Sequence, residues 1–212
     1  MSDPAPPRKR GPHALAARND QALIEAARHV FTTQGFDAPV SAVAEHAGVG
    51  MGSLYRRYRT KEELLQRLCV DSMERVANAA QDGLAHEDPW QGLTSYIRKC
   101  ASFGFGILAP LAGAIAVTPE MTQASERAQR LADDLVARAH RAELLRADVS
   151  TMDISLLIGQ FGRPIPAPPG QSEEEIRSRL LTIALDGLKA HNTGSLPGEP
   201  PSARQYEALW NT

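Results

Sequence analysis

The 212 residues carry 23 Lys+Arg against 25 Asp+Glu, and 42% of them are hydrophobic. That balance describes a water-soluble globular chain, long enough to bury a real core. It excludes a low-complexity chain, and two cysteines without metal-ligand spacing, Cys69 and Cys100, exclude a disulfide framework or a zinc module. The near-neutral total hides an asymmetry. Residues 1–61 hold nine Lys+Arg against five Asp+Glu, and the remainder fourteen against twenty. A basic head on an acidic body suits contact with a nucleic acid at one end only.

Taken in order, residues 1–18 are rich in Pro, Ala and Arg and are expected to form a disordered basic tail. Arg8, Lys9 and Arg10 are either solubilising or an arm for the DNA backbone or minor groove. The opening MSDPAPPRKRGP has no apolar stretch of a secretory signal, so a cytoplasmic protein with reduced thiols is expected. Asn19 or Asp20 is the predicted cap of the first helix. Leu23, Ile24, Ala27, Val30 and Phe31 then fall on one face, and Gly35 stops it. A second helix is predicted from about Val40 to Ala47. Small residues at Ala44 and Gly48 suit a tight crossing and a turn of positive φ.

A third helix is predicted over Met51 to Tyr58, burying Leu54 and presenting Met51, Ser53, Arg56 and Arg57. Its end reads Tyr55-Arg56-Arg57-Tyr58. Arginines interleaved with aromatics on a short helix suit phosphates and base edges; the bland alternative is a solvated helix end. Thr60 with Glu63 three residues on is a capping-box pattern that starts a fourth helix, from about Lys61 to Gln81. Gly83 and the Glu87-Asp88-Pro89 turn are predicted to end it.

The rest reads as a helical body. Asp88 caps a helix with Pro89 at its first position. The apolar run Ala101 to Val117 is too short to span a bilayer and is broken by glycines and Pro110, so it reads as core around short helices. Thr118-Pro119-Glu120 starts a helix to about Arg141. Leu144 to Asp148 is a connector, Ser150 or Thr151 caps the next helix, and Arg163 to Gly170 is a proline-rich loop that cannot be helical. Ser172 caps a long helix reaching His191, and 203–210 is a short terminal helix. Ser150–Phe161 and Ser172–His191 are apolar on more than one side, as helices of a dimer seam are. Trp90, Tyr96, Phe103, Phe105, Met121, Met152 and Phe161 are candidates to line a ligand pocket. Their alternative is plain core at helical spacing.

From Ala44 to Leu65 the chain reads AEHAGVGMGSLYRRYRTKEELL. This stretch, with the helix before it, resembles the TetR family of one-component transcriptional regulators. The resemblance implies an all-α fold: a three-helix DNA-binding head over residues 19–65 and a helical ligand-binding and dimerisation body over 66–212. It also implies a homodimer on a palindromic double-stranded DNA operator, released or engaged by a small-molecule effector. No cofactor, metal or membrane is called for. Carried over residue by residue, Tyr55, Lys61 and Ser53 match phosphate contacts, and Ser41 matches a helix cap with a phosphate contact. Met51 and Gly52 stand where base edges are reached. Arg56 and Arg57 face the groove, with Arg57 placed to fork onto a guanine, and Tyr58 is an aromatic site of mainly structural role. Two departures make the leading edge less polar than the family pattern: Gly50 where Ser is common and Met51 where Lys is frequent.

An enzyme would need a nucleophile, an acid–base pair or a metal set. The nearest cluster, His140, Glu143, Asp148 and Asp153, has no recognisable ligand spacing. The expectation is therefore a DNA-binding regulator, most simply a ligand-responsive repressor, with a ligandless or activating regulator as the alternative.

Overall fold

The structure, a computed structural model, describes residues 12–104, 108, 111–191, 194–200, 202 and 204–205, with side chains from residue 19 onward. Eight helices are described: α1 (Pro12–Gln34), α2 (Val40–His46), α3 (Met51–Arg57), α4 (Lys61–Leu84), α5 (Pro89–Ser102), α6 (Pro119–Arg141), α7 (Thr151–Phe161) and α8 (Glu173–Gly187). The only pairing of β type among the described residues is one isolated bridge, Leu145 with Lys189. The chain divides into two compact units, residues 1–68 and 69–212. None of the described helices is long and apolar enough to cross a membrane.

In the first unit, the predicted face of α1 is the core. Leu23, Ile24, Ala27, Val30 and Phe31 are all buried, together with Val43, Ala44, Leu54, Tyr58 and Leu64. Phe36 stacks on Phe31 with ring centroids 5.8 Å apart. The turn after α2 is a Schellman motif: Gly48 N–H donates to Glu45 O and Val49 N–H to Ala44 O, both at 3.0 Å. Gly48 sits at φ 65, the conformation that an L side chain resists. A Cβ there would meet nothing within 4 Å. Glycine is needed at this turn for its backbone angle, and the close approach predicted for it does not occur.

The start of α1 is a correction. Asn19 and Asp20 do not cap it. The helix begins at Pro12, so 12–18 belong to it and not to a tail. A proline in the first turn is compatible with that start, because its missing N–H would have no intrahelical partner. Arg8, Lys9 and Arg10 lie outside the described residues. Ser41 is likewise not the cap of α2; the N-cap position is Pro39, which makes no side-chain cap bond.

In the second unit the capping signals hold. Asp88 accepts from Trp90 N at 2.7 Å and Gln91 N at 3.1 Å, and Thr118 Oγ1 accepts from Met121 N at 3.2 Å. Ser150–Asp153 and Ser172–Glu175 each form a reciprocal capping box. α5 packs on α6 and α7. Its Leu93, Tyr96, Ile97, Cys100 and Ala101 join Leu135, Ile154, Ile158, Leu181 and Leu185 in one buried cluster. Cys69 and Cys100 are buried and form no disulfide.

Gly83 does not end α4, which runs on to Leu84. It meets Gly92 of α5 backbone to backbone. A Cβ on Gly92 would lie 2.3 Å from Gly83 O, and one on Gly83 would lie 2.8 Å from Gly92 O. Arg138 of α6 closes the α4–α5 turn by donating to Leu84 O at 2.8 Å, His86 O at 2.6 Å and Glu87 O at 2.8 Å. Such a bridge satisfies carbonyls that a helix end leaves open.

The connector 144–148 is tied to the end of α8. Arg146 N donates to Leu188 O and Ala190 N to Leu144 O, both at 3.0 Å. Lys189 pairs there as a bridge, so α8 stops at Gly187, short of His191. The nearly buried Arg146 side chain holds Asp148 through two bonds of 2.9 and 2.8 Å and also reaches Gly194 O. That guanidinium draws the Asp148 carboxyl down to about 2. After α5, Gly104 takes φ 72 and Leu108 and Leu111 are buried, as a core role predicts, whereas Gly113, Ala114, Ala116 and Val117 are exposed, so the end of the apolar run is not core. Residues 105–107, 109–110, 203 and 206–210 lie outside the described residues, and with them Phe105, Pro110 and most of the predicted terminal helix.

Candidate nucleic-acid interface

A seven-residue helix has no stability of its own, so α3 depends on its seat. Leu54 is the anchor, 1% exposed and the one buried residue of the helix. The face away from it is open. Met51 is 36% exposed and Tyr55 48% exposed. Gly50 and Gly52 would have nothing within 4 Å of an added Cβ. Ser53 is half-buried, and Arg56 and Arg57 are exposed. Gly50 N-caps α3 with no side-chain bond, as its replacement of serine implies.

The two arginines differ. Arg56 folds back along its own helix, donating from Nε to Gly52 O at 3.1 Å and from Nη2 to Ser53 Oγ at 3.1 Å. Arg57 crosses to α1. Its Nε donates to Asp20 Oδ1 at 2.7 Å and its Nη2 to Asp20 Oδ2 at 2.8 Å. The Tyr58 hydroxyl donates to the same Asp20 Oδ1 at 2.5 Å. The Arg57 hydrogen bonds hold the Asp20 carboxyl below its ordinary range, and Arg67 adds positive charge nearby. Burial, then the bond to Asp20, pushes the Tyr58 hydroxyl up. Asp20 is the member of this cluster that sequence reasoning missed. The helix-forming run after Pro12 was the available signal, because it places Asp20 inside α1 with a side chain free to reach another element.

At the start of α4, Thr60 Oγ1 accepts from Glu63 N at 3.1 Å, and Glu63 Oε2 accepts from Arg59 N at 2.7 Å. The reciprocal bond falls one residue earlier than the predicted box. Lys61 Nζ stands 5.7 Å from the centre of the Phe31 ring, close enough for cation–π attraction. Lys61 is half-buried, and its ammonium carries three N–H donors. Tyr55, Ser53, Lys61 and both arginines thus share the unit that holds α3, while Ser41 is exposed on α2.

The pocket candidates have a different setting. Tyr96 is buried in the body core, and Trp90, Phe103 and Phe161 pack half-buried against it. Met121 and Met152 are buried. Tyr96 hydrogen-bonds with Cys100, and burial pushes the Cys100 thiol up to about 12. It is therefore a neutral thiol at physiological pH, not a reactive thiolate. A groove does exist on α8, lined by Glu174, Glu175, Ser178, Arg179, Thr182 and Ile183; it includes none of the six described candidates. α8 is two-faced, with Leu181 and Leu185 buried and Leu180 and Ile183 exposed, the last at 60%.

A basic three-helix unit with an open, anchored third helix, followed by a helical body, defines a helix-turn-helix regulator of the one-component type. Comparison with known proteins agrees. Residues 23–68 match the family described as bacterial regulatory proteins, tetR family, and residues 88–190 match the SbtR-like transcriptional regulator C-terminal domain. The chain belongs to the TetR family of transcriptional regulators. Among solved structures, a TetR transcription regulatory protein from Mycobacterium vanbaalenii is 28% identical, with a TM-score of 0.61 over 84% of this chain and 98% of that one. A TetR transcriptional regulator from Streptomyces coelicolor is 23% identical, with a TM-score of 0.61 over 80% and 98%. The ketosteroid transcriptional regulator of Mycobacterium tuberculosis shares the fold at 19% identity, with a TM-score of 0.58 over 80% and 94%.

Proposed function

We propose that this TetR-family DNA-binding regulator acts in the cytoplasm as a ligand-responsive repressor, binding a palindromic operator as a homodimer. The observation that carries the reading is α3: its inner face is closed by Leu54 while Met51, Gly52, Tyr55 and the arginines stand open. Ser53, Tyr55 and Lys61 are assigned to phosphates, Met51 and Gly52 to base edges, and Ser41 to a flanking phosphate. Tyr58 is assigned a supporting role. Phosphate contacts make affinity fall with salt, by roughly 0.9 in log–log slope per phosphate neutralised. Operator binding is accordingly expected to weaken steeply between low and physiological salt. Lys61→Ala is expected to weaken binding on all sequences alike and to reduce the slope by roughly 0.9 per head. Titration of selected and scrambled duplexes at several salt concentrations checks this; a slope unchanged by the substitution rules out the Lys61 contact.

Dimerisation is assigned to α7 and α8, where Leu180 and Ile183 give α8 an outer apolar face beside its inner one. An isologous four-helix contact covers such faces in pairs. Ile183→Glu should shift the protein to a monomer in sedimentation equilibrium at micromolar concentration and lower operator affinity with it. A dimer of unchanged strength would place the seam elsewhere.

An effector is assigned to the body residues Trp90, Tyr96, Phe103, Phe105, Met121, Met152 and Phe161. The six described ones are packed as core or against it. Admission of a ligand there requires a second packing of the body, and the effector acts by favouring one packing over the other. A ligandless or activating regulator is the alternative. In the cluster weighed for catalysis, Asp148 is held by Arg146 and Asp153 by Ser150.

A further inference from the structure

We propose that Asp20 of α1, outside the helix-turn-helix pair, is a positioning residue for operator recognition that acts through Arg57. The inference rests on the reading that α3 meets DNA. A guanidinium has five N–H donors. Asp20 takes one from Nε and one from Nη2, the side-on edge of the group. The end-on edge, with parallel N–H bonds on Nη1 and Nη2, is left for a pair of acceptors. The Arg57 side chain is 58% exposed and Asp20 only 20% exposed, so the used edge faces α1 while much of the side chain remains in solvent.

The Tyr58 hydroxyl fixes the carboxylate from the other side, at 2.5 Å, and the Arg57 charge lies 5.9 Å from the Tyr58 ring centre. A long side chain that would otherwise sample many rotamers is thereby held in one before DNA arrives, which removes an ordering cost from binding. Two chemistries on DNA offer a matching acceptor pair: guanine O6 with N7, or two oxygens of one phosphate. We commit to guanine, because a fixed fork serves base reading, whereas a phosphate is also held by mobile lysines.

The test is selection of binding sites from a random duplex library by the full-length protein, followed by affinity titration. The variants are Asp20→Asn, Arg57→Gln and the double variant, with melting curves to set each measurement well below its own transition. The expected result is that D20N and R57Q flatten the preference for guanine at the same base pair. D20N should weaken the best site by about tenfold, and the double variant should be no worse than R57Q. Should D20N fail to fold, Asp20→Ala replaces it, because alanine favours the helix and sets no amide N–H against the guanidinium: a flattened guanine preference supports the role and an intact one overturns it. Several results overturn it. An intact guanine preference in D20N means that Asp20 does not position Arg57. Tighter binding of D20N on every sequence, with a steeper salt slope, means that Asp20 only neutralises charge. Loss in R57Q of salt slope without loss of base preference means a phosphate contact. Failure of the wild type to enrich any sequence removes the DNA-binding reading itself, and is distinguishable from all of these.

Discussion

Leu54→Ala is expected to destabilise the N-terminal unit by about 2–5 kcal/mol and to abolish specific operator binding. Leu54 is the single buried residue of α3 and is 1% exposed. Truncation to alanine removes the contacts of its side chain and leaves a cavity that neighbours fill only in part. The consequence is larger than for a core leucine on a long helix. α3 has seven residues, its cap at Gly50 makes no side-chain bond, and its C-cap Tyr58 is already extended. Without the anchor nothing local keeps it helical. Hydrogen exchange read by mass spectrometry is the suitable measurement, because both tryptophans lie beyond the first unit, at Trp90 and Trp210. Amides of α2 and α3 should exchange much faster than in the wild type, while Glu45→Ala, at an exposed position on α2, should stay within about 0.5 kcal/mol. Unchanged protection of α3 in L54A would mean that some other contact seats the helix.

Gly92→Ala is expected to destabilise the body by about 1–3 kcal/mol, although alanine in a helix normally gains up to about 1 kcal/mol over glycine. The sign is decided by distance. The new Cβ would lie 2.3 Å from Gly83 O and 3.2 Å from Gly83 C, which are backbone atoms of α4. No rotamer change relieves that clash, so α4 and α5 must separate, and α5 carries Leu93, Ile97 and Cys100 into the central cluster. Gly83→Ala meets Gly92 O at 2.8 Å and the mobile end of Leu135 at 3.2 Å, and should cost less. Urea unfolding followed by Trp90 fluorescence reads both, and a stabilised G92A would show that the two helices part without penalty.

These two residues also divide what was legible from what was not. The periodicity of apolar residues identifies Leu54 as an inward position of a helix, because a side chain's face follows from spacing of three and four residues. The same holds for the buried face of α1. Gly92 has no such signal. Its role is set by Gly83, nine positions away, and by the angle at which two helices meet, and glycine in a helical pattern reads only as a weak point. α4 ends at Leu84, between Gly83 and the Glu87-Asp88-Pro89 turn, and a local reading of Gly83 as a terminator misses its contact with Gly92.

The interface shows the same boundary. Tyr55, Arg56, Arg57 and Lys61 were legible as a group because they lie within seven residues of each other. Asp20 was not, because it lies 37 residues from Arg57 and 38 from Tyr58, and a local reading assigned it to a helix cap.

By itself the sequence determined the helices and most of their ends, since Asp88, Thr118, Ser150 and Ser172 bond to backbone groups two or three residues away. It also determined the turn at Gly48, which depends on one backbone angle, and the position and exposed character of α3. Tertiary structure alone decided that α1 carries the carboxylate gripping Arg57, that α4 and α5 touch backbone to backbone, and that α8 ends where Lys189 pairs with Leu145. The physical reason is range. Caps, turns and helical faces are settled within about one turn of chain, whereas ion pairs and close approaches form between residues that only folding brings together.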